Sequence, residues 1–312
     1  MGVTARWRSA AASHPGRVRT ENQDRSYIDD DRGIFLVVDG LGGHAAGEKA
    51  ADTALEVIAS ELQQGGEDPR PRVRAAITAA NNRIWELASE NEAWRGMACV
   101  LTLALIREDK VIAGHVGDSR LYLIWNGSMK KLTSDHSPVG EREDCGELTE
   151  QEAMQHPRRH EVFRDAGSQW REPSDESFVE MKEFLFKPDA AILLCSDGLS
   201  DLLTAAEIRE IVERYDGDAA KTSCDLVDAA NQAGGKDNIT ALFVAGPEFV
   251  GCASPGMAEA RTRHSITRIR PETPAIHGAG VAGRLGRVLT CRIAFLVYGF
   301  LIGVLLAIAV RY

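Results

Sequence analysis

The chain has 312 residues, 44% of them hydrophobic, with 46 acidic against 36 basic residues and a formal net charge of -10 at pH 7. That length supplies one large domain or two ordinary ones with a real core. The carboxylate excess argues against nucleic acid as the main partner and suits a site that collects cations.

The first residues, with Arg6 and Arg8 ahead of a short Ala/Ser stretch, lack the apolar run of a secretory signal. The run GIFLVVD (33–39) reads as a strand. Two amphipathic helical patterns follow, one over 47–62 and one with Val73, Ala76, Ile77, Ala80, Ile84 and Leu87 on a single face. Strands are then expected at 99–106, 111–116, 121–125, 192–195 and 239–244. The second and third of these are separated only by GDSR, which reads as a hairpin turn. Thr149 to Glu152 and Thr204 to Glu207 have the form of capping boxes opening helices. A last helix spans 219–233 and stops at Gly234. Two consecutive helices and then antiparallel strands exclude the alternation of a doubly wound sheet. The six cysteines, at 99, 145, 195, 224, 252 and 291, form no CxxC pair and read as buried free thiols of a reducing compartment.

The composition divides the chain into a dense globular part, 10–247, a Gly/Pro/Arg-containing linker, 248–287, and a membrane-spanning helix, 288–311. The span rests on an 18-residue run, 293–310, of apolar residues, Gly and Tyr. Arg284, Arg287 and Arg292 flank it on the linker side against Arg311 beyond it, which places the globular part in the cytoplasm. Gly299 and Gly303 give a GxxxG spacing, a hint of helix pairing.

Aspartates recur where apolar strands begin or end. Asp39-Gly40 closes GIFLVVD, Asp197-Gly198 follows AILLCS, Asp237 precedes ITALFV, and Asp118 lies in the GDSR turn. One such Asp-Gly would be a turn. Several of them on antiparallel neighbours bring Asp39, Asp197 and Asp237 to one rim, where they repel unless cations hold them. Oxygen ligands without His or Cys select magnesium or manganese.

The stretches HPGRVRTENQD (14–24), FLVVDGLGGHAAGE (35–48), HVGDSRLYLI (115–124), LTSDHSPV (132–139), LLCSDGLSD (193–201) and GGKDNIT (234–240) resemble, in order and spacing, the bacterial form of the metal-dependent protein phosphatases of type 2C. The resemblance implies an α+β fold, a four-layer α/β/β/α sandwich of two antiparallel sheets flanked by helices. It implies two Mn2+ or Mg2+ ions per site and a third, weaker one. Asp39 would bridge the two cations, the Gly40 carbonyl would bind one, Asp197 and Asp237 would complete the shell of the other, and Asp118 would hold the third. Asp24 would support that shell, and Arg19 would grip the substrate phosphate with its planar fork. His44 is the candidate proton donor to the leaving oxygen, although eukaryotic relatives carry their histidine directly after Asp-Gly, where Leu41 stands. His115, His136 and His156 read as structural. The usual Gly-Thr-Thr is replaced by Ala98-Cys99-Val100, and the flap, 148–178, departs from the pattern. The implied activity is hydrolysis of phosphoserine and phosphothreonine on proteins, at the inner face of a membrane and opposing Ser/Thr kinases. Rival readings are a non-catalytic, membrane-tethered phosphoprotein-binding module on the same fold and a different two-metal hydrolase.

Overall fold

The computed structural model describes residues 7–43, 45–64 and 68–251. In chain order its strands are β1 (Arg8–His14), β2 (Asp24–Asp29), β3 (Ile34–Leu41), β4 (Ala98–Arg107), β5 (Lys110–Val116), β6 (Arg120–Trp125), β7 (Ser128–Lys131), β8 (Glu180–Leu185), β9 (Ala191–Cys195) and β10 (Ile239–Ala245). The helices are α1 (Ala45–Gln63), α2 (Pro69–Glu90), α3 (Pro138–Asp144), α4 (Glu150–Met154), α5 (Asp197–Ser200), α6 (Ala205–Val212) and α7 (Ala219–Gln232). One sheet runs β1-β10-β9-β6-β7 and the other β2-β3-β4-β5-β8. Every neighbouring pair in both is antiparallel.

The period of two along each strand sorts side chains between layers. Ile34, Leu36 and Val38 of β3 pack with Ala50, Ile58 and Leu62 of α1 and Val73 and Ile77 of α2. Phe35 and Val37 turn the other way, to meet Ile192, Leu194, Leu242 and Val244 of the opposite sheet. On that sheet Ala241 and Phe243 face outward again, onto Ile208 of α6 and Leu226 of α7. The order is therefore helices, sheet, sheet, helices. Each fully buried Leu, Ile or Phe in these interfaces contributes about 1.5–3 kcal/mol.

Local signals fix the helix ends. Asp68 accepts from the Arg70 N–H with Pro69 in the first turn of α2. Thr149 and Thr204 make complete capping boxes with Glu152 and Glu207, as expected.

Four expectations need correction. The runs 111–116 and 121–125 are not a hairpin: β5 pairs with β4 and β8, whereas β6 pairs with β7 and β9. Gly117, at φ +108 and where a Cβ would come within 2.1 Å of Val100 Cγ1, turns the chain from one sheet into the other. That crossing buries Leu121 between the sheets. Asp39 likewise stands in the sheet opposite Asp197 and Asp237, so they meet across the sandwich, not as neighbouring strands. Cys99 and Cys195 are buried free thiols, but Cys145 and Cys224 are exposed. Strands β1, β2, β7 and β8, with few fully buried residues, escaped the apolar pattern. The linker and span, 248–287 and 288–311, lie almost wholly outside the described residues, among which no helix is long and apolar enough to cross a membrane.

Candidate active site

Asp24 opens β2 directly opposite Asp39 of β3, like charges in cross-strand register. Asp197 begins α5 as the chain leaves β9, and Asp237 stands two residues before β10, the strand that pairs with β9. The glycines beside them allow close backbone approach. A Cβ on Gly40 would come within 2.2 Å of the Gly47 carbonyl oxygen at the start of α1, and one on Gly198 within 2.0 Å of the Asn238 carbonyl oxygen. Asp-Gly is thus a packing device here as well as a turn.

These strand ends surround a cavity of about 520 Å³ lined by Arg19, Asp39, Gly40, Asp118, Asp197 and Asp237, with His160 among the other lining residues. Asp24 sits beneath, receiving the Ser196 hydroxyl on Oδ2 at 2.8 Å. Asn238 fixes the loop that carries Arg19: its Oδ1 accepts from the Gln23 N–H at 2.8 Å and its Nδ2 donates to the Glu21 and Pro15 carbonyls. Arg19, 58% exposed, reaches into the rim and donates to Asp237 Oδ2 at 2.9 Å.

The electrostatics are those of crowded carboxylates. Burial pushes Asp24 up to about 7, partly offset by the Thr240 and Ser196 hydroxyls. Burial, then the charges of Asp24 and Asp197, hold Asp39 well above the usual carboxylate range. Burial, then Asp197, does the same to Asp118. Asp24 Oδ1 is buried with no hydrogen-bond partner among the described residues. An orphaned carboxylate oxygen among four further aspartates fits hard divalent cations, which satisfy the oxygens and remove the repulsion together.

Of the residues singled out by sequence, Arg19, Asp39, Gly40, Asp118, Asp197 and Asp237 come together and Asp24 lies directly behind them. His44 lies outside the described residues. Sequence reasoning missed His160 and Asp201. His160 Nδ1 lies 3.7 Å from Asp197 Oδ2 and 3.5 Å from Asp201 Oδ2, and its contact with Asp197 raises its pKa. Asp201 was legible: it stands four residues after Asp197, one helical turn on. No periodicity marks His160, which belongs to a segment without regular structure.

A carboxylate-rich cavity with a guanidinium at its rim is suited to phosphate chemistry carried by hard cations. Comparison with known proteins turns that class into a family. The profile of the family described as Protein phosphatase 2C matches residues 13–238, and the chain belongs to this family. It is 32% identical over 239 residues to a serine/threonine phosphatase of Listeria welshimeri, covering 73% of this chain and 92% of the relative. It is 35% identical over 236 residues to protein phosphatase PhpP of Streptococcus pneumoniae, covering 73% and 93%. The crystal structure of the Mycobacterium tuberculosis serine/threonine phosphatase PstP superimposes with a TM-score of 0.69 at 30% identity, covering 77% of this chain and 98% of that one. A PstP catalytic domain in complex with two manganese ions gives 0.68 at 29% identity, covering 77% and 97%. The chain is a protein-serine/threonine phosphatase.

Proposed function

We propose that the chain removes phosphate from serine and threonine side chains of proteins at this cavity, using Mn2+ or Mg2+, while tethered to the cytoplasmic face of a membrane. The observation that carries the reading is the convergence of four aspartates and Arg19 on one cavity inside the matched region, with Asp24 behind them. Asp39 would serve two cations, the Gly40 carbonyl one of them, Asp197 and Asp237 the other, and Asp118 a third, with Asp24 behind. When bound, such cations supply an activated water and neutralise charge on the phosphoryl oxygens. Two manganese ions in the related PstP domain support the pair at Asp39. Arg19 orients the phosphate through its fork and, by donating to Asp237, is already aimed at the carboxylate wall. His44 keeps its role as candidate proton donor, and His160 is the described histidine on the cavity.

The membrane reading rests on the apolar run 293–310 and the arginines before it. Phosphorylated kinases and their membrane-proximal targets are the partners that such a tether would favour. The full-length chain is expected to hydrolyse phosphothreonine peptides only with added manganese or magnesium, and to sediment with membranes through a carbonate wash. Activity that survives excess EDTA overturns the metal reading, and full-length protein in the soluble fraction overturns the tether.

A further inference from the structure

His136 holds both backbone polar groups of Gly117, the residue before Asp118. Its backbone N–H donates to the Gly117 carbonyl at 2.7 Å, and its ring Nδ1 accepts from the Gly117 N–H at 3.0 Å. Asp118 follows directly, 9% exposed, at the cavity wall. On the far side of the ring, Arg164 Nη1 lies 3.0 Å from Nε2, and the Phe163 N–H donates to the His136 carbonyl at 2.9 Å. Residues 163 and 164 continue the segment whose His160 and Val162 line the same cavity. One imidazole therefore stands between the turn that carries Asp118 and a segment that faces substrate.

The ring is neutral: burial, with His115 and Arg164 alongside, pushes it down to about 3. His115 faces it at 4.9 Å between ring centroids and Glu180 Oε2 at 4.0 Å from Nε2. A neutral imidazole offers one acceptor nitrogen. The Gly117 N–H and the Arg164 guanidinium are both donors, and they approach opposite nitrogens. When one is served, the other meets an N–H. Arg164 stands two residues beyond the lining Val162 and makes no ion pair among the described residues, where its guanidinium meets this ring.

We propose that His136 is a positioning residue that couples the cation site at Asp118 to substrate binding by the 160–164 segment, because its ring can serve Gly117 or Arg164 but not both. The proposal rests on the reading of Asp118 as a cation ligand. A phosphorylated substrate that draws Arg164 away leaves the ring to Gly117 and fixes the Asp118 turn. Cation and substrate then tighten each other's binding by equal factors.

The test titrates Mn2+ into the chelator-stripped full-length chain, reading free Mn2+ by electron paramagnetic resonance. It is run alone and with a non-hydrolysable phosphonate analogue of a phosphothreonine peptide. In the wild type the weak class of Mn2+ sites should tighten about fivefold or more with the peptide. Asp118→Asn should abolish the weak class; if the class persists, the reading of Asp118 fails, whatever the His136 variants do. His136→Leu should weaken that class by about tenfold or more, with the tight class unchanged as the sign of an intact fold. His136→Asn, whose amide oxygen replaces Nδ1 but whose short side chain stops short of Arg164, should keep the weak class and lose the peptide response. Arg164→Met should also lose the response, and these two variants decide the matter if His136→Leu does not fold. An unchanged weak class in folded His136→Leu, or a peptide response that survives in both His136→Asn and Arg164→Met, overturns the proposal.

Discussion

The cavity's carboxylates stand on or beside strand ends in hydrogen-bonded register, whereas the segment 155–178 on the same cavity meets the sheets, among the described residues, through a single isolated bridge from Ala166 to Cys99. Side chains do the rest of its anchoring. Asn81 of α2 accepts from the Gly167 N–H and donates to the Gln169 carbonyl, both at 2.8 Å. Asn82 holds Arg171 at both its N–H and its carbonyl, and Arg159 donates to Asp201 at 2.7 Å. The contrast separates two demands. In the proposed function, carboxylates that hold cations would need positions fixed by backbone ladders, while a surface that receives varied phosphoproteins would be better placed on a segment that side chains pin at a few points.

The contrast breaks first at the strand ends. Asp39→Asn and Asp237→Asn should each lower kcat by at least ~100-fold, because weaker cation binding removes both the activated water and much of the charge stabilisation. Near-wild-type turnover at saturating Mn2+, with an unchanged circular dichroism spectrum, would remove these residues from the site.

On the loop side, Arg19→Ala should mainly raise KM for phosphopeptides, by roughly tenfold, with a smaller fall in kcat, since in its proposed role the guanidinium would meet phosphate in ground and transition states alike. Its exposed pair with Asp237 should add less than about 1 kcal/mol to stability. Steady-state kinetics that leave KM unchanged would return Arg19 to the surface.

The smallest expected effect is on stability against pH. Folded Asp24, Asp39 and Asp118 hold protons that the unfolded chain releases near its ordinary carboxylate value. Between about pH 4 and pH 7 the native state therefore binds more protons, and stability falls as pH rises. The EDTA-treated protein should melt a few degrees lower at about pH 8 than at about pH 5, and saturating Mn2+ should reverse that order. A melting temperature that is flat in pH without metal would show that the carboxylates are not crowded in solution.

By itself the sequence determined the central strands, the two long helices, both capping boxes and the aspartates of the site other than Asp201. These features are written in residues close together in the chain: unbroken apolar runs, a threonine three places before a glutamate, an aspartate at the edge of a strand. The peripheral strands carry no such mark. Arg8–His14 and Glu180–Leu185 are strands because neighbours complete their hydrogen bonds, and their own burial is partial. Only the tertiary structure decided that Gly117 passes the chain from one sheet to the other, because four residues between two apolar runs fit a hairpin and a crossing equally well. The choice fell to what Leu121 could be buried against. The same holds for Asp39 meeting Asp197 across the sandwich, for His160 at the cavity and for His136 between two donors. Distances between such groups are set by how two sheets pack, a property of all their facing side chains together and of no short stretch of sequence.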